Sequence, residues 1–254
     1  MDKERFDALC LQEQAADGGI GTLGEKRLHR VLKTYFEPRA ACRERPFAGY
    51  VADILNEEGV TEVQTRNYGA LRKKLDAFLP LGPVRVVCPL PARKWISWVD
   101  PATGEISARR PSPKHGAPID AFYELMRIAP VLAHPNLTLH LLLFDADEYR
   151  MRDGWDKSGK RGSTRAELQP LSLRAEQEVR GPAAYAALLP AGLPDPFTLR
   201  ELRAAARRSE TLCRRAVYTL EKVGALRRAG KRGRELLYRR SCPPEGEARI
   251  TGSP

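Results

Sequence analysis

Long apolar runs are missing from this chain of 254 residues. The most apolar stretch, Leu137 to Phe144, is broken by Thr138 and His140 and falls well short of the roughly 18 residues that a membrane-crossing helix needs. The N-terminal MDKERFDALCLQEQ mixes both charge signs and has no apolar h-region, so it does not read as a signal peptide. Cysteine is sparse and unpatterned. Cys10, Cys42, Cys88, Cys213 and Cys242 are odd in number, scattered, and form no CxxC pair. They read as reduced thiols of a cytosolic protein, not as a disulfide framework or a zinc site. There is no GxxxxGK[ST] loop, which argues against intrinsic ATP use, and no GxSxG or HExxH.

Acidic residues are scarce in one place. From Phe197 to Arg240 the chain holds fourteen Lys or Arg against four Glu, a local charge of +10 out of a total of +11. The rest is close to neutral. A solubilising surface would spread its charge, whereas a basic balance confined to one folded segment is the footprint of nucleic-acid contact.

What is present is an alternation of periodic segments. GTLGEKRLHRVLKTYF, 21 to 36, carries a helical stripe of Leu28, Val31, Leu32, Tyr35 and Phe36. Thr22 as N-cap and Glu25 three residues on fit a capping box, and Pro38 stops the helix. Tyr50 to Leu55 and Val60 to Thr65 read as strands around a turn at Asn56-Glu57-Glu58-Gly59. Tyr68 to Leu79 reads as a helix with Leu71, Leu75, Phe78 and Leu79 inward. Val84 to Cys88 reads as a short central strand. Lys94 to Val99 and Glu105 to Ala108 flank the turn signal DPATG. Ala117 to Leu132 reads as a third helix and Leu137 to Phe144 as a buried strand. Asp145 to Pro170 turns polar and glycine-bearing, and reads as a strand edge followed by a mobile loop. Helical stretches are expected at Leu173 to Val179 and Pro182 to Leu189. The order predicts a mixed α/β domain of about 150 residues.

The first hairpin holds a conflict. Its four-residue turn sets Asp53 opposite Glu62 and Val51 opposite Gln64, in strands otherwise built from Val, Ile and Thr. Facing carboxylates repel, and a bound cation such as Mg²⁺ or Mn²⁺ is the simplest thing that would offset the cost. A helix carrying Glu25, the acidic hairpin Asp53…Glu62-Val63-Gln64, and a following helix resemble the PD-(D/E)XK nuclease-like superfamily. The resemblance covers about residues 21 to 145. It implies a restriction-endonuclease-like αβββαβ core in which Asp53, Glu62 and Glu25 bind the metal and water attacks a phosphodiester. The family's lysine position holds Gln64, which can orient a water but cannot take a proton. Lys73 and Lys74, in the next helix, are the candidates to replace it, Lys74 being the assigned one. His29, one helical turn from Glu25, could reach the same place, although a lone helix His is more often structural.

The basic segment resembles a winged helix-turn-helix over roughly 182 to 240. Thr198 caps a short helix with Leu199, Leu202 and Ala206 inward. Ser209 caps a second, with Leu212, Ala216, Val217 and Leu220 buried and Gly224 closing it. Ala225 to Arg228 and Leu236 to Arg239 form the wing. The expected DNA contacts are Arg207, Arg208, Thr211, Arg214, Arg215 and Tyr218 from the helices, with Arg227, Arg228, Lys231, Arg232 and Arg234 from the wing. The domain reading is a nuclease-like domain at 1–170, a linker at 171–181, the winged helix at 182–241 and a flexible tail at 242–254. The functional expectation is an Mg²⁺-dependent DNA endonuclease of the bacterial cytosol or nucleoid, acting on duplex DNA. A homodimer would suit double-strand cutting. The alternative is a DNA-binding regulator or structural protein with a degenerate nuclease-like domain.

Overall fold

The computed structural model describes residues 2–16, 27–154 and 164–241. Thr22 and Glu25, residues 155–163 of the stretch expected as strand edge and loop over 145–170, and the tail from 242 onward lie outside the described residues, while 165–170, expected as loop, are strand. The protein is a mixed α/β chain that divides into two compact units. The first draws on Met1–Thr65, Arg85–Ala117 and His140–Gln177, the second on Arg66–Val84, Pro118–Leu139 and Glu178–Pro254.

The first unit opens with α1 (Lys3–Ala16) and α2 (Arg27–Phe36), followed by β1 (Arg43–Phe47), β2 (Tyr50–Asn56) and β3 (Gly59–Val63). The next helix, α3 (Tyr68–Phe78), belongs to the second unit. Then come β4 (Val84–Val99) and the two-residue β5 (Arg110–Pro111). A short helix, α4 (Phe122–Leu125), again of the second unit, precedes β6 (Leu137–Met151) and β7 (Arg165–Val179). The sheet order is β1-β2-β3-β4-β6-β7, with β5 on β4. Leu28, Val31, Leu32 and Tyr35 recur at helical spacing along α2, and all four are buried with Phe6 and Cys10 of α1 against Val63, Val87, Leu142, Phe144, Ala146 and Leu173 of the sheet. Each fully buried aliphatic or aromatic side chain in such a layer contributes about 1.5–3 kcal/mol.

Several expectations need correction. β1 was not foreseen. RERPF looks unlike a strand, but β1 is an edge strand, where charge and a proline are tolerated. It pairs with β2 from Phe47↔Tyr50 to Arg43↔Ile54, through a two-residue turn in which Ala48 and Gly49 both adopt positive φ. The segments 84–88 and 94–99 are one 16-residue strand running through Pro89 and Pro91. The DPATG turn is present, with Gly104 N–H donating to Asp100 O, but its far arm makes only a single bridge, Val99↔Ile106. The regular partner is β5, through Trp95↔Pro111. Beyond it, Gly116 N–H donates to Ala92 O, so close that a Cβ on Gly116 would sit 2.1 Å from Pro91 O. The strand expected to end at Phe144 continues to Met151. Leu173 to Val179 is strand, not helix: LSLRAEQEV has helix-forming residues, yet pairing with β6 overrides propensity. The expected linker at 171–181 is therefore mostly sheet.

In the second unit, α5 (Gly181–Ala186) and β8 (Phe197–Thr198) precede α6 (Leu199–Ala206), α7 (Glu210–Lys222), β9 (Leu226–Arg232) and β10 (Glu235–Arg240). The helix expected over 117–132 is broken into α4 between two 3-10 turns, Pro118–Ala121 and Met126–Val131, the second containing Pro130. Proline lacks the N–H that a continuous α-helix would use there. The caps fall where the residues foretold. Thr198 and Glu201 form a reciprocal capping box, and Ser209 Oγ accepts from Leu212 N–H at 3.3 Å. The sheet order is β8-β10-β9. α3 packs against the 118–131 segment, which packs against α7, and all of these fall in the second unit with the 182–241 segment.

Candidate functional site

The β2–β3 hairpin closes through Asn56↔Gly59, Leu55↔Val60 and Ile54↔Thr61. Asp53 and Glu62 are the next pair in that register, and there the ladder stops. Two backbone donors freed at this point are taken by the carboxylates. Asp53 N–H donates to Glu62 Oε1 at 3.3 Å, and Val63 N–H donates to Asp53 Oδ2 at 2.8 Å. Glu62 is 1% exposed, which is extreme for a carboxylate. Gln64 follows at the end of β3, where its N–H donates to Val87 O of β4 at 2.9 Å, so the neighbouring strand fixes this end of the hairpin.

His29 of α2 completes the cluster. Its Nε2 lies 3.0 Å from Val63 O and 3.3 Å from Asp53 Oδ2. A carbonyl can only accept, so Nε2 carries the proton and donates. His29 touches the same carboxylate that the hairpin presents, through bonds that also suit a structural role. The spacing between Glu25 and His29 was the only sequence signal for this, and it was weak. Glu25 itself lies outside the described residues. Lys73 and Lys74 stand on α3, which belongs to the second unit. Two carboxylates side by side are hard oxygen donors of the kind that Mg²⁺ and Mn²⁺ take. Among the described residues, no group of three or more His, Cys, Asp or Glu is arranged to hold a metal ion.

The turn of the hairpin is braced. Glu37, 2% exposed, accepts from Arg39 Nε at 2.9 Å and Nη2 at 2.8 Å and from Asn56 Nδ2 at 2.9 Å. Arg39 also donates to Glu57. These bonds, Arg39 first, hold the Glu37 carboxyl down at about 2.

Elsewhere in the first unit, buried carboxylates are matched by bases. Glu148, 1% exposed, meets Lys94 Nζ at 2.5 Å and Arg150 Nη2 at 2.6 Å. Burial alone would raise its carboxyl; the Lys94 bond and the nearby arginines leave it lowered. Asp145 pairs with Arg174, and Asp147 with Arg109, whose guanidinium also stacks 4.1 Å over Trp95. The acids of the DAD stretch are thus neutralised by ion pairs.

The basic residues of the second unit fall into two groups. Arg208 makes a bidentate pair with Asp120 at 2.7 and 2.9 Å, and Arg215 Nη1 donates to Tyr123 O at 3.0 Å. Those two expected DNA contacts are engaged within the unit. Thr211, Arg214, Tyr218, Arg207, Arg227, Arg228, Lys231, Arg232 and Arg234 are exposed. Of these, Arg214 is tied to Glu210, Arg228 to Glu221 and Arg232 to Glu201.

A family model described as "Domain of unknown function (DUF8091)" matches residues 26–180. The chain belongs to the DUF8091 family. The matched stretch runs from the start of α2 through β7, so it contains His29, Asp53, Glu62 and Gln64 and stops before α6 and α7. This DUF8091 chain is also 30% identical over 230 residues to a Treponema pallidum (strain Nichols) protein described as "Uncharacterized protein", covering 90% of each chain. That alignment is longer than the family match and takes in sequence beyond it. No solved structure matches. No helix among the described residues is long and apolar enough to cross a membrane.

Proposed function

We propose that this DUF8091 chain is a divalent-cation-dependent nuclease that hydrolyses phosphodiester bonds in duplex DNA, on a restriction-endonuclease-like core with a winged-helix-like basic module. The observation that carries the reading is the pair Asp53 and Glu62 at the point where the β2–β3 ladder stops, within the order α2-β1-β2-β3-α3-β4. The donor chemistry fits Mg²⁺ or Mn²⁺, with Asp53 and Glu62 holding the ion and Glu25 joining them. A bound cation there supplies an acidified water and stabilises charge developing on the phosphate. Asp53 and Glu62 are fixed by the N–H groups of Val63 and Asp53, so they are oriented before any ligand arrives. His29 holds Asp53 in place through Nε2. Gln64 orients a water through its amide and takes no proton. The basic module contacts backbone phosphates through some of the arginines on its surface.

Incubation with supercoiled plasmid and Mg²⁺ or Mn²⁺ tests the reading. Cleavage is expected from the native chain and not from Asp53→Ala or Glu62→Ala prepared alongside. No cleavage at any salt, with DNA binding intact, would sink the enzyme. One feature favours a second reading, a non-catalytic DNA-binding protein: Gln64 stands where the resemblance expects lysine, and glutamine cannot act as a base. Binding without cleavage is the result that reading expects. Competition between DNA and RNA separates the two substrates.

A further inference from the structure

The N-terminal half of a recognition helix ordinarily supplies base contacts in the major groove. In this protein several groups in that part of α7 are engaged within the unit, while Glu210, Thr211 and Arg214 are exposed. Ser209 Oγ, its N-cap, lies 3.2 Å from Tyr123 OH, and Arg208 and Arg215 on either side are bonded to Asp120 and Tyr123. Arg214 is bonded to Glu210 at 2.6 Å, and Lys222 lies over the Tyr218 ring.

The face of α6 is different. Arg200, Arg203, Ala204 and Arg207, with Arg208, line a shallow open concavity of about 420 Å³. Arg200 and Arg203 are 77% and 60% exposed, with only an exposed pair to Glu235 at 3.1 Å and a loose one to Glu210 at 3.9 Å. Arg207, the left-handed C-cap of α6, has no acidic partner among the described residues. Seven residues of helix rise about 10 Å, the axial span of about three phosphates of one DNA strand. Glu201–Arg232 and Glu235–Arg200 latch the β9–β10 hairpin to α6, which adds exposed Lys231 and Arg234 to the same module.

We propose that this α6 concavity is a phosphodiester site, and that the module grips the duplex by backbone phosphates through Arg200, Arg203 and Arg207 rather than by reading bases with α7. The inference rests on the DNA-binding part of the function proposed above and is independent of catalysis. Guanidinium groups suit phosphate because their fork matches its oxygens. An anionic lipid surface fits less well, since the exposed residues of α6 are arginines and alanines, with no large apolar side chain to insert.

The test is fluorescence anisotropy of labelled duplexes of unrelated sequence with the full chain, across a salt series. Arg203→Glu/Arg207→Glu is compared with the α7 variant Arg214→Glu/Lys222→Glu, and circular dichroism checks both folds. The α6 variant is expected to lose at least tenfold in affinity. Its log–log salt slope should fall by about 1.8, the value for two phosphate contacts. The α7 variant should stay within threefold, and unrelated sequences should bind alike. If the charge reversals unfold the protein, Arg203→Gln/Arg207→Gln should still lower affinity. Unchanged binding by the α6 variants, a larger loss from the α7 variant, or strong sequence preference overturns the inference alone and leaves DNA binding standing. Failure of the native chain to bind any duplex overturns it together with the DNA reading, as does binding to phosphatidylserine vesicles in preference to DNA.

Discussion

The two hairpins β2–β3 and β9–β10 are built alike and carry their charge differently. Each has a two-residue turn, Glu57-Glu58 in one and Gly233-Arg234 in the other. In β2–β3 the charges sit past the end of a ladder that stops at Ile54↔Thr61, with Glu62 buried and bonded to backbone. In β9–β10 the ladder continues past an irregularity at Leu236/Tyr238 to Arg240↔Leu226, and the arginines lie outward. A buried carboxylate must be held by specific hydrogen bonds, because an unpartnered one is costly to bury. An exposed guanidinium is solvated and contributes little to the fold, so it remains available to a ligand. The first hairpin therefore couples charge to stability, and the second separates them.

The largest effect expected from that contrast is chemical. Asp53→Asn and Glu62→Gln keep shape and remove charge, and each should reduce plasmid cleavage to background while circular dichroism is unchanged. Truncation comes next. Asp53→Ala leaves Val63 N–H without its carboxylate, and should destabilise by about 1–3 kcal/mol in urea unfolding. A change below about 0.5 kcal/mol would show that solvent replaces the bond and that the hairpin is less buried than its geometry implies.

The pH dependence is a third lever. Glu37 is held at about 2, below its ordinary 4.5. A carboxyl lowered by folding contributes stability that is complete above the unfolded value and is lost as pH falls through the folded one. The melting temperature should drop between pH about 4.5 and 2. Glu37→Gln should flatten that part of the profile and leave neutral-pH DNA binding unchanged. The smallest effect belongs to the other hairpin. Lys231→Ala and Arg234→Ala should each change stability by no more than about 0.5 kcal/mol while weakening DNA binding, measured by melting and anisotropy.

Much of this was legible beforehand where the controlling interactions are local. The caps Thr198 and Ser209 act on residues three positions away, and both formed. The turn at Asn56–Gly59 set the register that places Asp53 beside Glu62. β1 was hidden because an edge strand need not be apolar. β7 was hidden because Ala, Glu and Gln favour helix when no sheet partner is known.

The sequence by itself determined the charge partition, with nearly the whole excess in the last fifth, and the acidic hairpin Asp53…Glu62 followed by Gln64. Those are properties of residues and their near neighbours. Tertiary structure decided who meets whom: His29 with Asp53, Arg208 with Asp120, Arg215 with Tyr123, and the 118–131 segment with α7. Arg208 and Asp120 are 88 residues apart, and no local pattern records such a pairing. Which arginine is engaged and which stays open to solvent is settled by burial and by distant partners, not by the residue's own type.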